Sequence, residues 1–131
     1  MSIYKFGYAE VGEKEYPLIP ISLRHGSQEL TTLALIDSGA TISVFRSEVA
    51  EALDLDWRKG EEMLLQSANA KFAAYVNKMK VRIEDTELTL KIAFTEELTT
   101  SFNILGRESF FESFMVEINE RDKIVTLTGF E

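Results

Sequence analysis

With 131 residues, the chain has the length of one domain and can bury roughly two thirds of its unfolded surface without staples. It has no cysteine, which excludes disulfides, thiolate catalysis and thiolate-bound metal centres, and a single histidine, which excludes histidine triads and multi-histidine metal sites. A net charge of -8 and a pI near 4.7 argue against nucleic acid and membrane partners and leave neutral or cationic peptides as ligands.

No repeat, low-complexity tract or linker divides residues 1–131, so the expectation is a single domain. The start Met1-Ser2-Ile3-Tyr4-Lys5 carries no signal-peptide pattern and no apolar run is long enough to span a bilayer. With the missing cysteines, this predicts a cytoplasmic location.

Taken in chain order, the pattern is mostly β. Pro17 to Arg24 alternates apolar and polar residues, His25-Gly26-Ser27 signals a turn, and Leu30 to Ile36 resumes an apolar run, together predicting a hairpin. The hairpin feeds Asp37-Ser38-Gly39-Ala40, and Ile42 to Phe45 then reads as a short buried strand. Ser47 has the character of an N-cap, with Glu48 and Glu51 early and Val49, Ala50, Leu53 and Leu55 at helical spacing, so two to three turns of helix are expected. Trp57 is expected to cover the end of that helix. Glu61 to Glu84 reads as two strands around the small, polar Ser67-Ala68-Asn69-Ala70. After a turn at Asp85-Thr86, Leu88, Leu90 and Ile92 alternate with polar residues in a strand, and Glu96 to Thr100 is a polar loop.

Phe102-Asn103-Ile104-Leu105-Gly106 is a second concentrated apolar run. Arg107 to Phe114 is predicted as a short helix with Phe110, Phe111 and Phe114 on one face, as core or dimer contacts. Met115 to Ile118 and Ile124 to Leu127 form a closing hairpin around Asn119 to Asp122. Many short strands with one or two short helices predict an all-β, closed barrel.

A carboxylate held in a tight turn between apolar strands is costly, which makes Asp37 the candidate catalytic residue. An Asp-Ser-Gly turn also commonly caps a strand end. The acids Glu61-Glu62 and Glu96-Glu97 read as solvated faces and loops ahead of a metal site, His25 as a surface residue, and Tyr75 as a strand-packing residue ahead of a substrate contact.

The order of these segments resembles that of the retropepsin-like (retroviral-type) aspartic proteases, particularly their small prokaryotic relatives. The resemblance is carried by Pro20-Ile21-Ser22-Leu23, Leu33 to Thr41, Leu53-Asp54-Leu55, Asn103-Ile104-Leu105-Gly106-Arg107 and Ile124-Val125-Thr126-Leu127. It implies an acid-protease barrel acting as a homodimer on a peptide or protein substrate, with no metal or other cofactor. Asp37 is then the catalytic carboxylate, supported by Ser38, Gly39, Ala40, Thr41, Ile104, Leu105, Gly106 and Arg107. The Ser38 hydroxyl is implied to tie its loop to that of the partner chain, and Arg107 to brace the fold through a charge pair. Retroviral members often carry an acid where this chain has Thr41, leaving the partner of Arg107 open. A flap over roughly Leu65 to Tyr75, with Gln66, Ser67, Ala68, Asn69 and Ala70 at its tip, would close on substrate. Its tip lacks the glycines of retroviral flaps. Because Asp-Ser-Gly-Ala occurs once, two chains are needed for two carboxylates. The alternatives are a catalytically silent peptide-binding or assembly module, and a monomer whose half-site pairs with a different protein.

Overall fold

The alternation beginning at Leu18 builds the first wall of a barrel. In the computed structural model, which describes residues 2–66, 69–98 and 100–130, β4 (Leu18–His25) turns at Gly26 and Ser27 into β5 (Gln28–Ile36). Before them lie β1 (Ile3–Gly7) and the small hairpin β2 (Ala9–Val11) and β3 (Lys14–Tyr16). After them come β6 (Ser43–Arg46), α1 (Ser47–Ala52), β7 (Glu61–Gln66), β8 (Lys71–Ile83) and β9 (Thr86–Thr95). The remaining strands are β10 (Asn103–Leu105), β11 (Phe114–Asn119) and β12 (Ile124–Gly129).

Hydrogen-bonded neighbours run β4-β5-β10-β6-β9-β8, and β8 returns to β4 through Ser22↔Arg82, Leu23↔Val81 and Arg24↔Lys80. That last pairing closes the ring, which removes its free edges, while β7 hangs outside it on β8. Ile19, Ile21, Leu23, Leu90, Ile92 and Phe94 fill the interior with no accessible surface. Phe45 meets Phe94 edge-on, with ring centroids 6.4 Å apart.

The closing hairpin is present as β11 and β12, and β1 adds to it as a third strand, from Ile3↔Thr128 to Gly7↔Ile124. Tyr4 and Phe6 turn toward the core from β1.

Two helical expectations are corrected. Instead of two to three turns, α1 is six residues long. Ser47 is its first helical residue rather than its cap; the cap position is Arg46, without a side-chain cap bond, and the buried Ser47 donates its hydroxyl to Glu48 Oε1 at 3.1 Å. The helix ends because Asp54 takes a left-handed φ of 55°, letting Asp54 N and Leu55 N donate to the carbonyls of Glu51 and Ala50. Glycine adopts that conformation without the Cβ penalty, so Asp54→Gly should stabilise the protein by about 0.5–1 kcal/mol in urea unfolding. Lower stability in the variant would contradict this reading of the helix end.

The helix expected over Arg107 to Phe114 is also absent as a regular helix. Glu108 has a ψ of 131° and Ser109 a φ of 64°, and Phe114 already belongs to β11. The physical reason is that the amides of Arg107 and Glu108 are committed to Ala40 and Thr41 carbonyls, holding them extended, while Ser109 Oγ accepts from Lys91 N at 3.1 Å. The turn still buries Phe110 and Phe114, whose rings lie 5.7 Å apart. Trp57 is buried in a single 3-10 turn, Trp57–Lys59, where it packs on Tyr75 of β8 at 5.6 Å.

Candidate active site

Although consecutive in sequence, β5 and β6 do not pair with each other. The short strand β10 lies between them, parallel to β5 through Asn103↔Ala34, Ile104↔Leu35 and Leu105↔Ile36, and antiparallel to β6 through Ile104↔Val44. The chain that leaves β5 at Ile36 must therefore cross the end of β10 before re-entering the sheet at Ser43, and the crossing is the loop Asp37 to Ile42. This places the Asp37 carboxylate at a strand end fixed from both sides.

The loop is assembled by backbone bonds. Asp37 N donates to Leu105 O at 3.0 Å, Arg107 N to Ala40 O at 2.9 Å and Glu108 N to Thr41 O at 2.8 Å. Within the turn, Ala40 N donates to Asp37 O at 3.2 Å, and Gly39 N to the carboxylate Oδ1 at 2.9 Å. That amide fixes the side chain's orientation by a charge-assisted bond. Asp37 is half-buried, while Ser38 and Gly39 are exposed, so the carboxylate is held firmly but reachable. Gly106 is buried beneath the crossing, where a Cβ would stand 2.5 Å from Ile42 O and 2.9 Å from Ala40 O.

In place of a charge pair, Arg107 donates from Nη2 to the Thr41 hydroxyl at 3.2 Å. No carboxylate pairs with Arg107 among the described residues. Of the expected support residues, Ala40, Thr41, Leu105, Gly106 and Arg107 thus bond or pack directly around the Asp37 loop, and Ile104 reaches it through β10. Ser38 projects outward on the exposed side.

Two further residues complete the crossing. The buried Ser43 accepts Gly106 N on its hydroxyl at 3.0 Å. Buried Asn103 ties three strands together: Oδ1 accepts Arg46 N at 2.9 Å, and Nδ2 donates to Leu33 O at 3.3 Å. Each is a polar side chain inside an apolar run, a pattern that demands a buried partner and was the available signal.

The projecting hairpin is β7 and β8, in register from Glu61↔Val76 to Gln66↔Lys71. Gln66, Asn69 and Ala70 are exposed at its far end, and the bonds that assemble the loop do not extend to them; Ser67 and Ala68 lie outside the described residues. What does join the hairpin to the site is apolar: Met63, Leu65 and Val76 pack with Ile42, Val44, Ala74 and Ala93 in a small cluster separate from the barrel interior. On the other face Tyr75 donates its hydroxyl to Glu62 Oε2 at 3.0 Å, and this bond to a carboxylate holds the phenol above its ordinary pKa. Among the described residues no group of three or more His, Asp or Glu side chains is disposed to hold a metal ion, and no helix is long and apolar enough to cross a membrane.

Comparison with curated sequences yields no significant match. Among solved structures, the fold is similar to that of a retropepsin-like aspartic protease from Rickettsia conorii, with a TM-score of 0.66 at 18% identity, covering 96% of this chain and 91% of that one. It is also similar to EIAV protease complexed with the inhibitor HBY-793, with a TM-score of 0.56 at 13% identity, covering 76% of this chain and 88% of that one. A sequence-family model for aspartyl proteases matches residues 21–109, a span that holds the Asp37 loop, the projecting hairpin and the β10 segment that buries the loop. Fold, loop and sequence match agree: the barrel is of the retropepsin-like type, and the chain belongs to the aspartyl protease family.

Proposed function

We propose that the protein is a homodimeric aspartic endopeptidase that cleaves extended peptides with apolar residues around the scissile bond. The observation that carries this reading is the single Asp37 carboxylate, oriented by Gly39 N on an exposed loop, in a chain with one Asp-Ser-Gly-Ala. Aspartic-protease chemistry needs two carboxylates, and a two-fold axis through this loop supplies the second from a copy of the chain.

Two such groups, about 3 Å apart as in aspartic proteases generally, share one proton because like charges that close do not both ionise. The ionised Asp37 takes a proton from a bound water, whose oxygen attacks the scissile carbonyl carbon, while the protonated partner polarises the carbonyl oxygen. The tetrahedral intermediate collapses by breaking the C–N bond, and the proton passes to the leaving amine. Which chain plays which part is set by the asymmetric substrate. The titration belongs to the pair, so activity follows an acid-shifted bell in pH. The apolar wall formed by Ile42, Met63, Leu65 and Val76 supports a preference for apolar side chains. The β7–β8 hairpin acts as the flap that covers the peptide and excludes water.

A peptide-binding module without cleavage is the second reading, favoured by the glycine-free hairpin tip and by the hydroxyl, rather than an acid, beside Arg107. Digestion of a mixed peptide library from acid to neutral pH at two well-separated protein concentrations separates the two. The protease reading predicts cleavage whose specific activity falls on dilution as dimers dissociate. Peptides bound and recovered intact would select the module.

A further inference from the structure

The chain is acidic overall, yet five of its 14 Lys and Arg residues gather on one outward sheet face. On β8, Lys78, Lys80 and Arg82 point outward between the buried Met79, Val81 and Ile83. Cross-strand partners extend the row: Lys78 stands opposite Lys91 of β9, and Lys80 lies between Thr89 of β9 and Arg24 of β4. Arg82 stands between Glu87 and Ser22. Like charges placed directly opposite, as at Lys78 and Lys91, destabilise a sheet unless something anionic answers them.

Part of that charge is answered internally. Arg82 pairs with Glu29 at 3.3 Å and Lys91 with Glu108 at 3.7 Å, and Glu61 and Glu87 are the other acids facing this surface. Among the described residues Arg24, Lys78 and Lys80 make no ion pair. Their surface is concave. A hollow of about 420 Å³ starts at Ile42, the last residue of the Asp37 loop, and runs past Met63 and Val76 to Lys78 and Lys91. A second, of about 240 Å³, takes over at Lys80 and continues between Arg24 and Arg82.

We propose that this face is a docking track for an acidic, extended segment of the protein substrate, leading away from the cleft at Ile42 along Lys78, Lys80, Arg24 and Arg82. The proposal rests on the reading of the cleft as a peptide site and names the class of protein it receives: one with an acidic stretch next to the apolar cleavage segment. Alternate outward positions on β8 lie roughly 7 Å apart, which is also the spacing of same-side residues in an extended peptide. Acids at every second peptide position therefore meet successive cations. Salt at physiological strength screens charges beyond about 8 Å, so the chain's overall negative charge opposes approach less than this local row favours contact.

The test uses two fluorescent peptides sharing one apolar core, one extended on both sides with alternating Glu and Ser, the other with Gln and Ser. Their dissociation constants are measured by anisotropy, and KM and kcat for any cleavage, with the wild type and with Arg24→Gln/Lys78→Gln/Lys80→Gln, all exposed positions. The wild type should bind the acidic peptide about tenfold more tightly at equal kcat, roughly a factor of two for each of the three substituted cations. That advantage should vanish in the triple variant and at about 0.5 M salt. Equal affinity for both peptides, or an advantage that survives the substitutions, overturns the docking track. Absence of cleavage would count against the protease reading alone, since anisotropy still scores the track. A single-stranded oligonucleotide that binds more tightly than the acidic peptide, and is lost with the same substitutions, would assign the face to nucleic acid and overturn the proposal.

Discussion

Asp37→Asn is expected to lower kcat/KM for peptide cleavage by roughly 10³-fold or more while leaving the thermal midpoint within about 2 °C of wild type. Asparagine keeps the shape of the side chain and an oxygen at the position that accepts Gly39 N. The backbone bonds of the loop, Asp37 N to Leu105 O and Ala40 N to Asp37 O, do not involve the carboxylate. On the proposed mechanism, what disappears is the ability to take a proton from water. In a homodimer the substitution removes both members of the pair at once, so no residual acid or base remains at the site. Cleavage kinetics beside a thermal melt check the prediction. An unfolded variant would mean that the carboxylate holds the loop together, and near-normal cleavage would mean that the chemistry lies elsewhere.

Gly106→Ala should have the largest effect on stability. The added methyl would stand 2.5 Å from Ile42 O, 2.6 Å from Ile42 C and 2.9 Å from Ala40 O, all backbone atoms of the loop crossing. No rotamer relieves such a contact. Either β10 withdraws, straining the bonds from Asp37 N, Arg107 N and Glu108 N, or the loop lifts away. Overpacking of this kind costs about 3 kcal/mol, lowering the thermal midpoint by about 10 °C. Gly39→Ala provides the contrast, because the nearest atom to its Cβ is the Asp37 carboxylate at 3.1 Å. That variant should perturb the reacting group more than the scaffold. A Gly106→Ala protein melting within about 2 °C of wild type would show that the crossing is looser than its hydrogen bonds indicate.

Elements whose information is local were legible from residue order. The β4–β5 hairpin announces itself by alternation around Gly26, the β7–β8 hairpin by two patterned runs around a small polar tip, and β11–β12 by the turn Asn119 to Asp122. The first strand, β1, carries a short alternation of its own, Ile3-Tyr4-Lys5-Phe6, but it gains meaning only from a partner near the other end of the chain. The helical misreadings share one cause. Asp54 and Ser109 take left-handed conformations usually left to glycine, and the amides of Arg107 and Glu108 are claimed by a loop far away in sequence.

The site divides in the same way. Asp37 and Gly106 stand out because a charged turn and a glycine-ended apolar run are visible in the chain itself. Ser43 and Asn103 look like interruptions of apolar runs until β5, β6 and β10 are placed side by side, when they become the polar pins of the crossing. The alternation Lys78-Met79-Lys80-Val81-Arg82 reads as an ordinary strand with one wet face. Only the pairing with β4 and β9, which brings Arg24 and Lys91 beside it, turns that face into a basic track.

Subunit mixing tests most directly that one site is built from two chains. Wild-type protein is combined with increasing amounts of Asp37→Asn, left to exchange subunits, and assayed on a cleavable peptide at constant total protein. Random pairing in a homodimeric site predicts that an equal mixture retains about one quarter of the wild-type activity, the share of dimers with two intact carboxylates. Retention of about one half, in direct proportion to the wild-type content, would mean that each chain works alone and would contradict the shared-carboxylate site.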